Sequence, residues 1–240
     1  MRLSSLRVGR LVSAFTIASF LVLAGCSGSG DPEPTPTTSS PADAEPQDLL
    51  DRASEQFKKA GTVTVTGSLT FEGKTSGIEM TWGDDWIAGE TSEEGVAMSL
   101  IDMEGTVLIQ AGAPYWESEG FTADQAEQFA RRWFRIEGDD RDTLMAEMER
   151  AAFVTELLKA DGTLSTAETR TIDGVACLGI TDTSDQDTAT IYLDPTDGHL
   201  VLIVDNDTGE EITFDYQPAT RPDLPSADLI SDLTDLQNAA

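Results

Sequence analysis

Short runs of alternating apolar and polar residues, separated by closely spaced turns, constrain this chain more than any other feature. After Gly61, the apolar side chains Val63, Val65 and Leu69 alternate with threonine and serine. Successive side chains of a strand point to opposite faces, so the pattern predicts a strand with one buried face. The turns that follow are too short for the crossovers that parallel neighbours need. We therefore expect an antiparallel meander.

The same alternation recurs in two blocks with helical segments between them. Ile78, Met80 and Trp82 alternate in the second strand, and turns rich in glycine, asparagine and aspartate bound the later strands. These residues tolerate the positive φ that tight hairpin turns require. Further strands are predicted in the first block at 86–91, 96–103, 106–111, 115–118 and 133–136, and in the second at 164–172, 175–182, 188–194, 199–205 and 211–216.

Three segments carry apolar side chains at helical spacing. One stripe lies within 48–60, Thr122 is the predicted N-cap of a second helix, and 139–158 is predicted to be one long helix. The end of the chain, 218–240, is expected to be irregular and then weakly helical. One α+β domain over 47–240, with a large antiparallel sheet and helices against one face, follows from this order.

The N-terminus carries the pattern of an export signal. Arg2, Arg7 and Arg10 precede an apolar run at 11–23, which is too short to span a bilayer as a helix. Leu23-Ala24-Gly25-Cys26 is similar to the lipobox of bacterial lipoproteins. This resemblance implies cleavage after 1–25, acylation of Cys26, and anchoring at the extracytoplasmic face of the cell membrane. The alternative is an ordinary cleaved signal peptide beside a free thiol.

The charge balance limits the partners. Removing 1–25 would take away three of the 15 basic residues and none of the 44 acidic ones, leaving a net charge of −32. Such a chain repels nucleic acid and anionic lipid headgroups, so no nucleic-acid partner is expected and membrane attachment would rest on the anchor. Residues 26–46 hold five prolines and no large apolar side chain. They are predicted to form a disordered tether.

The residues that usually carry chemistry form no catalytic pattern. His199 is the only histidine, and no serine or cysteine motif marks a nucleophile. Cys177 lies in an apolar run and is expected to be buried. The run 205–210 superficially resembles a calcium loop, but its glycine is at the fifth position, so a hairpin turn is the better interpretation. We predict no enzyme activity, no metal site and no cofactor.

A wide apolar surface is the remaining feature of interest. It combines one face of the first strands with one face of the long helix. Its default explanation is core packing, and its alternative is an adaptable lipid cavity, since methionine and tryptophan side chains fit irregular ligands. The candidate ligand-binding residues are Val65, Leu69, Ile78, Met80, Trp82, Met98, Leu100, Val107, Ile109, Leu144 and Met148.

Several stretches carry a resemblance to a lipoprotein family. They are 62–70 (TVTVTGSLT), 114–116 (PYW), 132–136 (RWFRI), 191–198 (IYLDPTDG) and 214–216 (FDY) before a proline-rich tail that ends in SADLI. In these stretches the chain resembles the family of LppX, LprA, LprF and LprG, which is similar in fold to the lipoprotein carriers LolA and LolB.

The resemblance implies a specific fold and function. The fold would be a curved antiparallel half-barrel with helices on its concave face, enclosing a cavity for the acyl chains of lipids or glycolipids. The function would be lipid transport in the cell envelope, with an envelope transporter as partner. The residues themselves leave a second hypothesis open, an acidic cell-surface interaction or regulatory module with a filled core.

Overall fold

A computed structural model describes residues 44–71, 74–185 and 188–233 of the chain. The helices α1–α5 span Pro46–Lys59, Ala113–Ser118, Ala123–Phe129, Gly138–Met148 and Arg150–Leu157. The strands β1–β12 span Val63–Phe71, Lys74–Trp82, Trp86–Glu93, Val96–Met103, Thr106–Ala111, Trp133–Ile136, Thr163–Ile172, Val175–Thr183, Thr188–Leu193, Leu200–Asp205, Glu211–Asp215 and Ile230–Asp232.

The strands form one open, curved sheet in the order β12-β6-β5-β4-β3-β2-β1-β11-β10-β9-β8-β7. Neighbouring strands are antiparallel except at the β12–β6 edge, which is parallel. The two strand blocks of the sequence join where β1 pairs with β11. The predicted α+β class, with a large curved antiparallel sheet and helices packed on its concave face, is confirmed.

Helix α1 is amphipathic and packs against the sheet with its apolar side. Pro46 lies in its first turn, where a missing N–H costs nothing, and two lysines lie in its last turn, where they complement the helix dipole. Its predicted apolar stripe is buried against the concave face. Phe57 is fully buried there, and burial of a side chain of this size contributes about 1.5–3 kcal/mol.

The convex face carries a smaller apolar cluster of its own. Ile101, Met103 and Leu108 are buried, and Ile230 of β12 packs against them. Arg132 holds this C-terminal segment by donating from Nε to the Ser231 hydroxyl at 2.7 Å. The described C-terminal segment therefore covers part of the sheet face opposite α1, α4 and α5.

The segment 115–118, predicted as a strand, is helical and belongs to α2. Pro114 lies in the first turn of this helix and presets the helical φ, while the indole of Trp116 donates to the Ala111 carbonyl at 3.0 Å. Four residues are too few for alternation to distinguish a strand from a helical turn. Helix α3 begins after Thr122 as predicted, because Thr122 and Gln125 form a complete capping box.

The long helix predicted over 139–158 is two helices, α4 and α5. Glu149 adopts φ −59° and ψ 130°, which is outside the helical region and breaks the run. The flanking residues Met148 and Arg150 are both bonded to the end of β2. Contacts with the sheet, which sequence periodicity does not report, set this break.

The C-terminal segment follows the prediction in part. Residues 218–226 are irregular and Ala227–Leu229 form a short 3-10 helix, but strand β12 follows where the sequence predicts no strand. Besides the Arg132 contact, Arg135 of β6 pairs with Asp232 at 2.7 Å. Three residues are too few for a strand signal, so long-range pairing with β6 decides this conformation.

Candidate functional site

Nine of the eleven predicted ligand-binding residues meet in one buried layer on the concave face. Each is at most 4% exposed. The β-register aligns Met80, Leu100 and Ile109 with their side chains in one row, and α4 adds Leu144 and Met148 from the helix side. The remaining members of the layer are Val65, Trp82, Met98 and Val107.

The other two predicted residues are Ile78 and Leu69. Ile78 is half-buried and packs against the same layer. Leu69 lies in β1 opposite Ser76 of β2. The predicted lipidation site Cys26 and the signal peptide at 1–25 lie outside the described residues, as does the tether up to residue 43.

An open groove of about 700 Å³ lies at one end of this layer. Its walls are the β2–β3 turn, the end of β4, and the two helices α4 and α5. Trp82 is the member of the predicted set that lines it, and Trp86, Ile87 and Met145 add further apolar surface. Its charged lining residues are Lys58, Asp84, Asp85, Asp102, Arg141, Asp142, Glu149 and Arg150.

Trp82 connects the groove to the buried layer. Its indole N–H donates to the Met148 carbonyl at 2.8 Å, at the break between α4 and α5. Phe153 of α5 packs on the same indole with ring centroids 4.7 Å apart, and Phe57 approaches it edge-on at 5.9 Å. These aromatic contacts hold α1 and α5 against the end of the sheet.

Arg150 is the main polar link at this end of the sheet. Its guanidinium donates to the carbonyls of Trp82 and Gly83 at 3.0 and 2.8 Å. It also donates to the carbonyls of Ala60 and Gly61, just after α1. Burial lowers the pKa of Arg150 from its ordinary value, and the carboxylate of Asp84 opposes that shift. One side chain therefore joins three chain segments.

Asp102 is a carboxylate in a row of otherwise apolar inward positions. In β4 it follows Met98 and Leu100 at a spacing of two, and its β-register partners are Ile87 and Val107. It is half-buried, and burial raises the pKa of its carboxyl above the ordinary value, against the attraction of Arg141. Among the described residues, its carboxylate has no hydrogen-bond partner.

Arg141 of α4 faces the same groove. It donates from Nη1 to Asp142 at 3.3 Å, while its buried Nε has no partner among the described residues. Asp102, Arg141 and Arg150 are absent from the site that the sequence predicts. The sequence feature that could have identified Asp102 is the strand alternation itself, which places it two residues after Leu100 on the inward face.

A second groove of about 510 Å³ separates α1 from α5. Leu50, Ser54 and Lys58 line it from α1, and Thr155 of α5 and Leu158 just after α5 line the other side. Lys58 borders both grooves, so they flank the same turn of α1.

The remaining predicted features have structural roles. Cys177 is fully buried, as expected, and burial raises the pKa of its thiol. His199 stacks on Tyr216 with centroids 4.1 Å apart and lies 2.9 Å from Asp197. The 205–210 segment is a hairpin turn between β10 and β11, in which Asp205 accepts from two backbone N–H groups.

Within the described ranges, no group of three or more histidine, cysteine or acidic side chains is arranged to hold a metal ion. Within the same ranges, no helix is both long and apolar enough to cross a membrane.

Comparisons with known proteins identify no family. No family model matches the chain, and no curated protein matches it. Among solved structures, an uncharacterized conserved protein from Thermus thermophilus aligns with a TM-score of 0.39 and 12% identity, over 78% of this chain and 98% of that one.

Two further structures align at lower scores. A domain from Vibrio parahaemolyticus, described as an outer membrane lipoprotein-sorting protein domain, has a TM-score of 0.27 and 11% identity, over 77% of this chain and 97% of its own. PNGF-II has a TM-score of 0.29 and 11% identity, over 75% of this chain and 33% of its own. Scores and identities this low establish neither a family nor a function for this chain.

Proposed function

We propose that this protein is a membrane-anchored extracytoplasmic lipoprotein that binds the acyl chains of lipids or glycolipids on the concave face of its sheet, for transport within the envelope. The observation that carries the proposal is the continuity between the buried apolar layer and the open groove through Trp82. The lipobox-like sequence ending at Cys26 supports the anchor and the location.

The composition of the layer suits a deformable binding site. Met80, Met98 and Met148 lie within it and Met145 borders both it and the groove. Unbranched thioethers adapt to irregular ligand shapes at low cost. Since the layer is packed in this structure, an acyl chain would enter from the groove past Trp82 as α4 and α5 move outward from the sheet.

Native mass spectrometry of the chain from Ser27 onward, with extraction of copurified lipid, tests this proposal. Acyl lipid in stoichiometric amount would support it, and a ligand-free protein that also refuses added lipid would contradict it. Leu100→Trp fills the concave layer and is expected to reduce uptake, whereas Leu108→Trp makes the same change on the convex face and should retain it.

Folding of both variants is checked by circular dichroism, because each replaces a buried leucine side chain by a larger indole. If Leu100→Trp fails to fold, Met145→Trp tests the same idea at the half-buried border of the groove. Unchanged uptake in a folded concave-face variant would argue against a cavity on that face.

The packing of the layer favours a second candidate, an acidic interaction or regulatory module with a filled core. Nine of the predicted cavity residues are buried against protein atoms here. This function predicts recognition through exposed carboxylates, and therefore binding that weakens as salt rises. A lipid-free protein with salt-sensitive binding to one defined basic partner would favour it over lipid carriage.

A further inference from the structure

The groove at the end of the concave layer is lined by more acidic than basic side chains. Five carboxylates and three basic side chains line it. Arg150 is committed to four backbone carbonyls, and Lys58 is paired with Glu55 at 3.4 Å. Arg141 pairs with Asp142 at 3.3 Å, so all three positive charges have a partner in this structure.

The carboxylates are engaged less completely. Asp142 pairs with Arg141 and Asp85 pairs with Arg221, both at the exposed rim. Among the described residues, Asp84, Asp102 and Glu149 form no ion pair. Asp84 is attracted to the Arg150 guanidinium and Asp102 to that of Arg141, so neither charge is isolated. The groove nevertheless has two more carboxylates than basic side chains, which opposes entry of an anionic group and offers acceptors to a cation.

Asp102 differs from the other acids in its surroundings. It projects from the inward row of β4 between Ile87 and Val107, and apolar groove residues lie beside it. A charge pair formed at a half-buried position is screened less by solvent than one at the surface. This position therefore favours a cation attached to a hydrocarbon chain over a free, fully hydrated cation.

We propose that the groove receives a primary ammonium group, with Asp102 as its carboxylate partner and Trp82, Ile87 and Met145 in contact with the attached hydrocarbon. This rests on the proposed function and narrows its ligand class to amine-bearing amphiphiles. The ammonium donates to the Asp102 carboxylate, while the chain passes Trp82 toward the buried layer.

Three amphiphiles with the same tail test the proposal: dodecylamine, dodecanol and dodecyl phosphate, each below its micellar concentration and at physiological salt. Calorimetry on the chain from Ser27 onward should show dodecylamine binding about tenfold more tightly than dodecanol, since a charge-assisted hydrogen bond is gained. Dodecyl phosphate should bind most weakly.

Two matched substitutions separate a specific site from diffuse attraction by an acidic protein. Asp102→Asn removes the charge while keeping the shape, and it should abolish the preference of dodecylamine over dodecanol. Asp173→Asn removes the same charge at the exposed β7–β8 turn and should leave the preference intact. A preference that survives Asp102→Asn, or that both variants lose equally, would overturn the proposal.

The failures of the two proposals are distinguishable. Equal binding of all three amphiphiles would keep acyl-chain binding and overturn the ammonium site, whereas binding of none would overturn both. Ethanolamine, which lacks the tail, identifies the source of the amine. Binding through Asp102 that requires the tail points to a lipid, and equal binding of ethanolamine points to a soluble amine.

Discussion

The concave face of the sheet divides into two regions that meet at Trp82. The first is the apolar layer around Met80, Leu100 and Ile109, whose side chains exclude water and pack on α1, α4 and α5. The second is the groove, where Asp102 and Arg141 face solvent beside Trp86 and Met145. The layer supplies stability through burial, whereas the groove keeps polar atoms without partners and so retains the capacity to bind.

Trp82→Ala should have the largest effect, because this side chain belongs to both regions. The substitution removes a fully buried indole and its bond to Met148, and it should lower the free energy of unfolding by about 3–5 kcal/mol. Urea denaturation measures the change. The control Trp133→Ala, at a half-buried position on the convex side, should cost clearly less. Equal losses would contradict the larger contribution to stability that we expect from Trp82.

Arg150→Ala should have the next largest effect. It leaves the carbonyls at the ends of α1 and β2 without their shared donor, which should cost about 2–3 kcal/mol. Arg150→Lys should restore only part of this, since one ammonium cannot reach all these acceptors in the same geometry. Arg131→Ala, an exposed arginine 4.0 Å from Glu127, is the control and should change stability little. Urea denaturation of the three variants gives the comparison.

Asp102→Asn should have the smallest effect on stability and the opposite sign. Because burial raises the carboxyl pKa in the folded state above the ordinary 3.8, ionisation of Asp102 destabilises the fold at neutral pH. Solvent screening of this half-exposed group limits the gain from removing the charge to about 0.5 kcal/mol.

The gain from Asp102→Asn should be present at neutral pH and disappear as the pH falls through the range where Asp102 becomes protonated. Urea denaturation at several pH values measures it, with Asp173→Asn at an exposed turn as the matched control. A loss of stability at neutral pH would mean that attraction between Asp102 and Arg141 outweighs the cost of burial.

The apolar layer could be predicted from sequence because alternation is a local property. The alternation within a few residues on either side predicts that Val65, Met80 and Leu100 lie on the buried face. The hairpin turns restrict which strands become neighbours. The stripe of α1 is equally local, since its spacing defines the buried side.

The groove could not be predicted because its components come from distant parts of the chain. Asp102, Arg141 and Arg150 share a site only once α4 and α5 are folded against the end of β2. The break at Glu149 has the same origin, because the residues on either side of it are hydrogen-bonded to Trp82 at the end of β2. Helix α2 and strand β12 could not be predicted because each is too short for a periodic signal.

The sequence alone determined the α+β class, the antiparallel meander and the identity of the buried face, because side-chain periodicity and turn chemistry act over short distances. The sequence also predicts a lipidated Cys26 and a tether before the domain, which the described residues do not test. Only the tertiary structure decided where the apolar layer opens to solvent and which charges surround that opening. Those features depend on the relative placement of β2, β4, α4 and α5, which long-range contacts establish.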